Sequence, residues 1–147
     1  MRIVISIPTT NRPEVIAPTV RDIARQTRLP DLVVIVVADE SDIEITAIDN
    51  LPFPISVECS ERGLTLQRNT ALAMLKIDDI LLFLDDDFLM APDYLANLET
   101  LFLNHPEVAM ATGKVLADGI HGPGLSHEYG QHLTSKSLGQ NLLRFEL

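Results

Sequence analysis

Three consecutive carboxylates, Asp85, Asp86 and Asp87, stand directly behind the apolar run Ile80-Leu81-Leu82-Phe83-Leu84. Adjacent anions repel one another: at ~4 Å and an effective dielectric of ~20, each close pair costs roughly 4 kcal/mol. Such a cluster persists where a cation or a protonation change offsets the repulsion. Two chemistries fit it, a hard divalent metal whose further ligands are water and phosphate oxygens, or a solvated acidic turn before a helix. In the metal case Asp87 is the direct ligand. In an open α/β sheet the C-terminal end of a strand is also where ligands bind.

Three other segments carry polar residues behind apolar runs. Pro8-Thr9-Thr10-Asn11-Arg12-Pro13 follows the first of these runs. Its amides can cradle a nucleotide and Arg12 can meet a phosphate, or it is a plain turn into a Pro-started helix. Ala38-Asp39-Glu40-Ser41-Asp42 follows the second run. Asp39 can accept from a base N–H or a ribose hydroxyl, or Ser41 and Asp42 simply cap a helix. The third segment is Glu61-Arg62-Gly63-Leu64 with Arg68 and Asn69. Gly63 permits a positive φ or a close approach. Arg68 is four residues from Leu64 and is expected on the buried-facing side, where it needs an anion. Asp39, the triple aspartate or a donor phosphate would each serve. His105, His121, His127 and His132 are scattered, and one of the last three could join a metal; Glu128 is a possible base or a solvated glutamate.

Positioning these residues requires alternating strands and helices. Strands are expected over Arg2–Ile7, Leu32–Ala38, Ile55–Ser60, Ile80–Leu84 and Val108–Thr112. Helices are expected over Pro13–Thr27, Asp42–Ile48, from Gly63 through Leu75, and over Pro92–Leu103. Pro18 predicts a break or a late start in the first helix. Leu64, Ala71, Leu72 and Leu75 form the expected apolar face of the third. The alternation predicts an α/β fold with a mostly parallel sheet. After Gly113 the pattern loosens, and the tail Gln131–Leu147 reads as mixed, with a helix in its last part.

With 147 residues and 46% apolar content, the chain can bury a core as one globular domain. The net charge of −10 excludes a run of neutralised phosphates and hence nucleic acid as a partner. Cys59 is the only cysteine, which excludes an internal disulfide and fits a reducing, cytoplasmic compartment. The apolar runs are strand-length, too short to span a bilayer. Contact with a membrane, at the inner face, would come through a partner chain, a lipid-linked substrate or sequence outside these 147 residues.

In order and spacing, Pro8–Pro13, Val36–Ser41, Arg62-Gly63-Leu64 with Arg68-Asn69, Leu82–Asp87 and Pro92-Asp93-Tyr94-Leu95 resemble the nucleotide-sugar-binding half of glycosyltransferase family 2. The resemblance implies a GT-A (Rossmann-like) fold in a single domain over residues 1–147. Residues 1–115 are best matched, and 116–147 would be the irregular start of an acceptor region. It implies a Mn²⁺ or Mg²⁺ cofactor and an inverting transfer from a nucleotide-diphosphate sugar to a hydroxyl on a saccharide, lipid or protein. Pro8, Thr9, Asn11, Arg12 and Asp39 would hold the nucleoside, with Asp39 at the base, and Gly63 and Arg68 would lie on the donor side. Asp85-Asp86-Asp87 matches the DxD motif, Asp86 facing the ribose and Asp87 ligating the metal. His121, Gly124 and Ser126 would reach toward the sugar.

Two departures accompany the resemblance. Ala38 stands where the family usually has a first aspartate, and no general base is assigned before Leu147, although family members continue well past this length. A non-catalytic nucleotide-sugar-binding module that needs a partner chain is therefore the alternative. A nucleotidyltransferase would want a Gly-rich basic loop after the first strand. An aspartyl phosphoryl-transfer protein would want a placed lysine, which Lys76 or Lys114 supplies only by coincidence. An unfinished sheet edge predicts exposed apolar surface and self-association.

Overall fold

The computed structural model describes residues 1–140 and 143–145, with side chains described over 1–140. The chain divides into two compact units. The first comprises Met1–Arg25 and Leu29–Phe88; the second comprises Gln26–Arg28 and the chain from Leu89 onward.

The first unit is a parallel α/β sandwich. Its strands are β1 (Arg2–Pro8), β2 (Leu32–Val37), β3 (Ile55–Cys59) and β4 (Asp79–Phe83), with α1 (Pro13–Ile23) and α2 (Leu64–Leu72) as its helices. The sheet order is β3-β2-β1-β4, all parallel. The chain walks outward from β1 to β3, then returns to the other side of β1 as β4. The loops after β1 and β4 therefore leave neighbouring strands at the point where the strand order reverses, the usual ligand crevice of an open α/β sheet.

Continuous β-branched runs suit strands buried on both faces. Ile3, Ile5, Ile7, Val33 and Ile35 are fully buried on one face of the sheet, since successive side chains alternate. On the other, Val4, Val34 and Val36 pack with Ala71 of α2, flanked by Leu32, Met74, Leu75 and Leu81. α1 buries Ile16, Ala17, Val20 and Ile23. It runs unbroken through Pro18, contrary to expectation. An interior proline forfeits one backbone hydrogen bond and costs ~3 kcal/mol, which the buried stripe on either side of it outweighs.

Two further expectations fail in this unit. Between β2 and β3 there is no α-helix but two 3₁₀ turns, Glu40–Asp42 and Ile45–Ile48. The β-branched Ile43, Ile45 and Thr46 disfavour a longer helix. On α2, Leu64 and Leu72 are 51% and 46% exposed, and Gln67 is buried beside Ala71. The helix turns a polar side chain inward because strand-end carbonyls there need a donor, as described below.

The second unit holds α3 (Tyr94–Asn104), β5 (Ala111–Gly113), α4 (His127–Lys136) and β6 (Leu143–Phe145). The fifth strand is shorter than expected and does not join the parallel sheet; it pairs antiparallel with β6. The tail forms a helix earlier than expected, started by Ser126, whose side chain accepts from the Tyr129 amide. Residues 141, 142, 146 and 147, part of the tail expected to be helical, lie outside the described residues. The buried Gln26 ties this unit together, donating to the Ala91 carbonyl at 2.7 Å and accepting from the Leu95 amide at 3.1 Å. Gly113 abuts Tyr94: a Cβ there would sit 2.7 Å from its ring.

Ile5 lies on the central strand with no exposure, so Ile5→Ala should lower the unfolding free energy by about 3 kcal/mol. Leu72→Ala, on the exposed face of α2, should change it by less than about 0.5 kcal/mol. Urea denaturation of both variants checks the two values and the orientation of the helix.

Candidate functional site

The carboxylates of Asp85, Asp86 and Asp87 emerge from β4 next to the loop that follows β1. The ladder continues one residue past each strand, through Leu84 N–H to the Ser6 carbonyl and Thr9 N–H to the Val36 carbonyl, both 3.0 Å. This register brings Thr9 against Asp86. The Thr9 hydroxyl donates to Asp86 Oδ2 at 2.8 Å, and Arg12 Nη1 donates to Asp86 Oδ1 at 2.7 Å. The same guanidinium reaches Asp87 Oδ2 through Nη2 at 3.0 Å. Asp86 is only 7% exposed, whereas the Asp87 side chain is 58% exposed. Asp85 faces Arg68, whose Nη2 lies 3.5 Å away. Two arginines thus meet three carboxylates.

Burial pushes the Asp86 carboxyl above the usual range. The Thr9 hydroxyl and the Arg12 charge pull against that, while Asp87 and Asp85 add to it. A carboxyl raised on folding favours the folded state only while protonated. Ionised Asp86 is therefore held at a stability cost. Arg12, hydrogen-bonded to Asp87 and facing both carboxylates, is held more firmly protonated than a free arginine.

Arg68 has its guanidinium 5.1 Å above the centroid of the Phe83 ring, and its Nε is buried without a hydrogen-bond partner. Of the anions expected for it, the protein supplies Asp85. Gly63 precedes α2 with φ +148°. A Cβ there would meet only the Leu66 side chain, at 3.6 Å, so the backbone conformation is what demands glycine. Asp39 is exposed and caps the first 3₁₀ turn, accepting from the Ser41 amide at 2.9 Å and its hydroxyl at 2.6 Å. Those two hydrogen bonds hold its carboxyl below the usual range. Pro8 ends β1 opposite Val36. Asn11 takes a left-handed conformation at φ +56°, which asparagine tolerates better than most residues.

Pro8, Thr9, Asn11, Arg12, Asp39, Gly63, Arg68 and the three aspartates all belong to the first unit. His121, Gly124 and Ser126 belong to the second.

Two residues organise the loops: Asp42, weighed from the sequence only as a helix cap, and Gln67, which sequence reasoning passed over. Asp42 is 1% exposed. It accepts from the amides of Asn11 at 2.6 Å and of Ala38 and Asp39 at 2.9 Å. Burial pushes its carboxyl up, and the three amides more than reverse this, so the net shift is downward. Its position three residues after Asp39 is the spacing of a capping box, the one sequence signal available. Gln67 donates from Nε2 to the carbonyls of Thr9 at 2.9 Å and Val36 at 2.8 Å. It binds the ends of β1 and β2 to α2, and no local pattern announces it.

Among the described residues, no three His, Cys, Asp or Glu side chains form a ready metal cage. A Mg²⁺ or Mn²⁺ ion that shares substrate phosphates needs only one or two carboxylates and several waters. The exposed Asp87 beside the anchored Asp86 fits that donor set.

The parallel sheet, its strand order and the acidic strand end define a GT-A-type α/β protein. The sequence model described as "Glycosyl transferase family 2" matches residues 4–145. The chain belongs to that family. Similar solved structures are S. aureus TarS 1-349, at 23% identity and a TM-score of 0.62, and TarS 1-349 in complex with UDP, at 21% and 0.60. Each alignment covers 72% of this chain and 33% of the other. The chain thus spans about a third of the length of these structures. No curated protein matches the sequence.

A carboxyl whose pKa is lowered on folding contributes stability above its unfolded pKa and loses it as pH falls through the folded one. Asp42→Asn should cost about 2 kcal/mol at neutral pH. It should also remove part of the acid destabilisation seen below the ordinary carboxylate range. Urea melts of both chains from pH 7 to pH 3 measure the two effects together.

Proposed function

We propose that this chain is the donor-binding portion of a metal-dependent, inverting glycosyltransferase. The observation that carries the proposal is the paired acidic end of β4 in a family 2 chain: a buried Asp86 fixed by Thr9 and Arg12, next to an exposed Asp87. The donor is a nucleotide-diphosphate sugar, a class consistent with the UDP bound to a similar structure.

Asp87 ligates Mn²⁺ or Mg²⁺. When bound, the ion stabilises the charge that develops on the departing diphosphate. Both Asp86 oxygens keep acceptor capacity beyond their present partners, and Asp86 faces the ribose. Asp39, exposed and kept ionised by its cap, accepts from the base. Arg12 and Arg68 bring positive charge to the phosphates, and Asn11 and Gly63 shape the loops around the nucleoside. An acceptor hydroxyl on a saccharide, lipid or protein attacks the anomeric carbon in line, and a carboxylate outside the residues assigned here takes its proton.

The second reading is a nucleotide-sugar-binding module that works with a partner chain or a second copy. Leu64, Leu66, Leu72 and Ile77, all exposed on or beside α2, favour it. Both readings place one domain in a reducing, cytoplasmic setting, on the strength of the lone Cys59. Among the described residues no helix is long and apolar enough to cross a membrane.

Titration calorimetry with UDP-, GDP- and dTDP-sugars, with and without Mn²⁺, should show metal-dependent binding of one nucleotide class. Asp87→Ala should weaken it at least about tenfold. Absence of binding by the folded chain sinks the donor site. Turnover by the isolated chain separates the enzyme from the module.

A further inference from the structure

We propose that Arg12 is an internal counter-cation that occupies Asp87 in the ligand-free chain and releases it when a divalent cation binds there. The inference rests on the assignment of Asp87 above, and goes beyond it in giving Arg12 a role before the donor arrives.

The two arms of the guanidinium are unequal. Nη1 reaches Asp86 at 2.7 Å, on a carboxylate that is buried and also held by Thr9. Nη2 reaches Asp87 at 3.0 Å, on a carboxylate open to solvent. Removing the first contact strands a buried anion. Removing the second exposes a group that water solvates readily. The fork can therefore open on one side only, with Arg12 still fixed to Asp86.

Arg12 also stands at the start of α1, directly after Asn11 in its left-handed conformation, so the fork is presented from a short loop and not from mid-helix. Guanidinium donors are held in a rigid plane. An Nη2 freed from Asp87 is left facing whatever anion accompanies the metal, such as a diphosphate. Arg12 thus exchanges a protein carboxylate for a ligand phosphate. Metal without diphosphate must displace Nη2 with no replacement partner, and binds weakly; metal with diphosphate supplies that partner. This is positive coupling between the two ligands through one side chain.

The test is titration of Mn²⁺ alone into the unaltered chain, Arg12→Gln and Arg12→Lys, with folding checked by circular dichroism. Arg12→Lys keeps a cation against buried Asp86 but cannot span both carboxylates, so it guards against a misfolded glutamine variant. The folded variants should bind Mn²⁺ about fivefold more tightly than the unaltered chain, and Asp87→Ala added to either should abolish the gain. Equal or weaker Mn²⁺ binding by the folded variants overturns the proposal. UDP with Mn²⁺ is titrated into the unaltered chain in parallel. Metal-dependent UDP binding without a gain in the variants keeps the donor site and sinks the counter-cation. A gain on Mn²⁺ without UDP binding keeps the counter-cation and sinks the donor site.

Discussion

Three neighbouring carboxylates at the end of one strand must be compensated, and much of the first unit is arranged around that need. β4 lies beside β1, so the loop after β1 is within reach of the acidic end. Thr9 supplies a hydroxyl to Asp86, and Arg12 a fork that spans Asp86 and Asp87. Arg68 comes from α2 on another side and rests on Phe83. Thr9 and Arg12 come from the loop after β1 and Arg68 from α2, so the cluster is compensated only when β1, β4 and α2 are all in place. An acidic end left over with partial compensation is suited to a cationic ligand carrying its own anions.

The loops that face this cluster are held by polar ties more than by apolar packing. Asp42 gathers the amides of Asn11, Ala38 and Asp39 on one buried carboxylate. Gln67 gathers the carbonyls of Thr9 and Val36 on one buried amide. Buried backbone groups at strand ends have lost their water and need such partners. Satisfying them from two side chains fixes the loop after β1 relative to the loop after β2. A binding surface built on rigid elements in this way keeps its geometry better than one built on free loops.

Family membership and the geometry of the strand end are the two observations behind the proposed donor site. The likeness to solved structures carries the fold, and the anchored Asp86 beside the open Asp87 carries the site. The chain spans about a third of those structures, so the reaction, its donor and its acceptor all stay proposals about the whole protein. The exposed leucines of α2 mark an apolar surface of the first unit that the sheet does not use.

What the sequence determined by itself was whatever depends on local pattern. β-branched runs bounded by polar turns located four strands of the parallel sheet to within a residue or two. The acidic end of β4 was legible because three aspartates behind an apolar run have few structural reasons to exist. Other features were decided by tertiary structure. Pro18 stays inside α1 because buried neighbours outweigh a lost hydrogen bond, a comparison that no window of sequence contains. Gln67 displaces Leu64 and Leu72 from the inner face of α2 because carbonyls from two distant strands converge there. The short β5 pairs with β6 and not with the parallel sheet. Arg12 meets Asp86 across 74 residues, since strand register, and not spacing along the chain, sets which charges become neighbours.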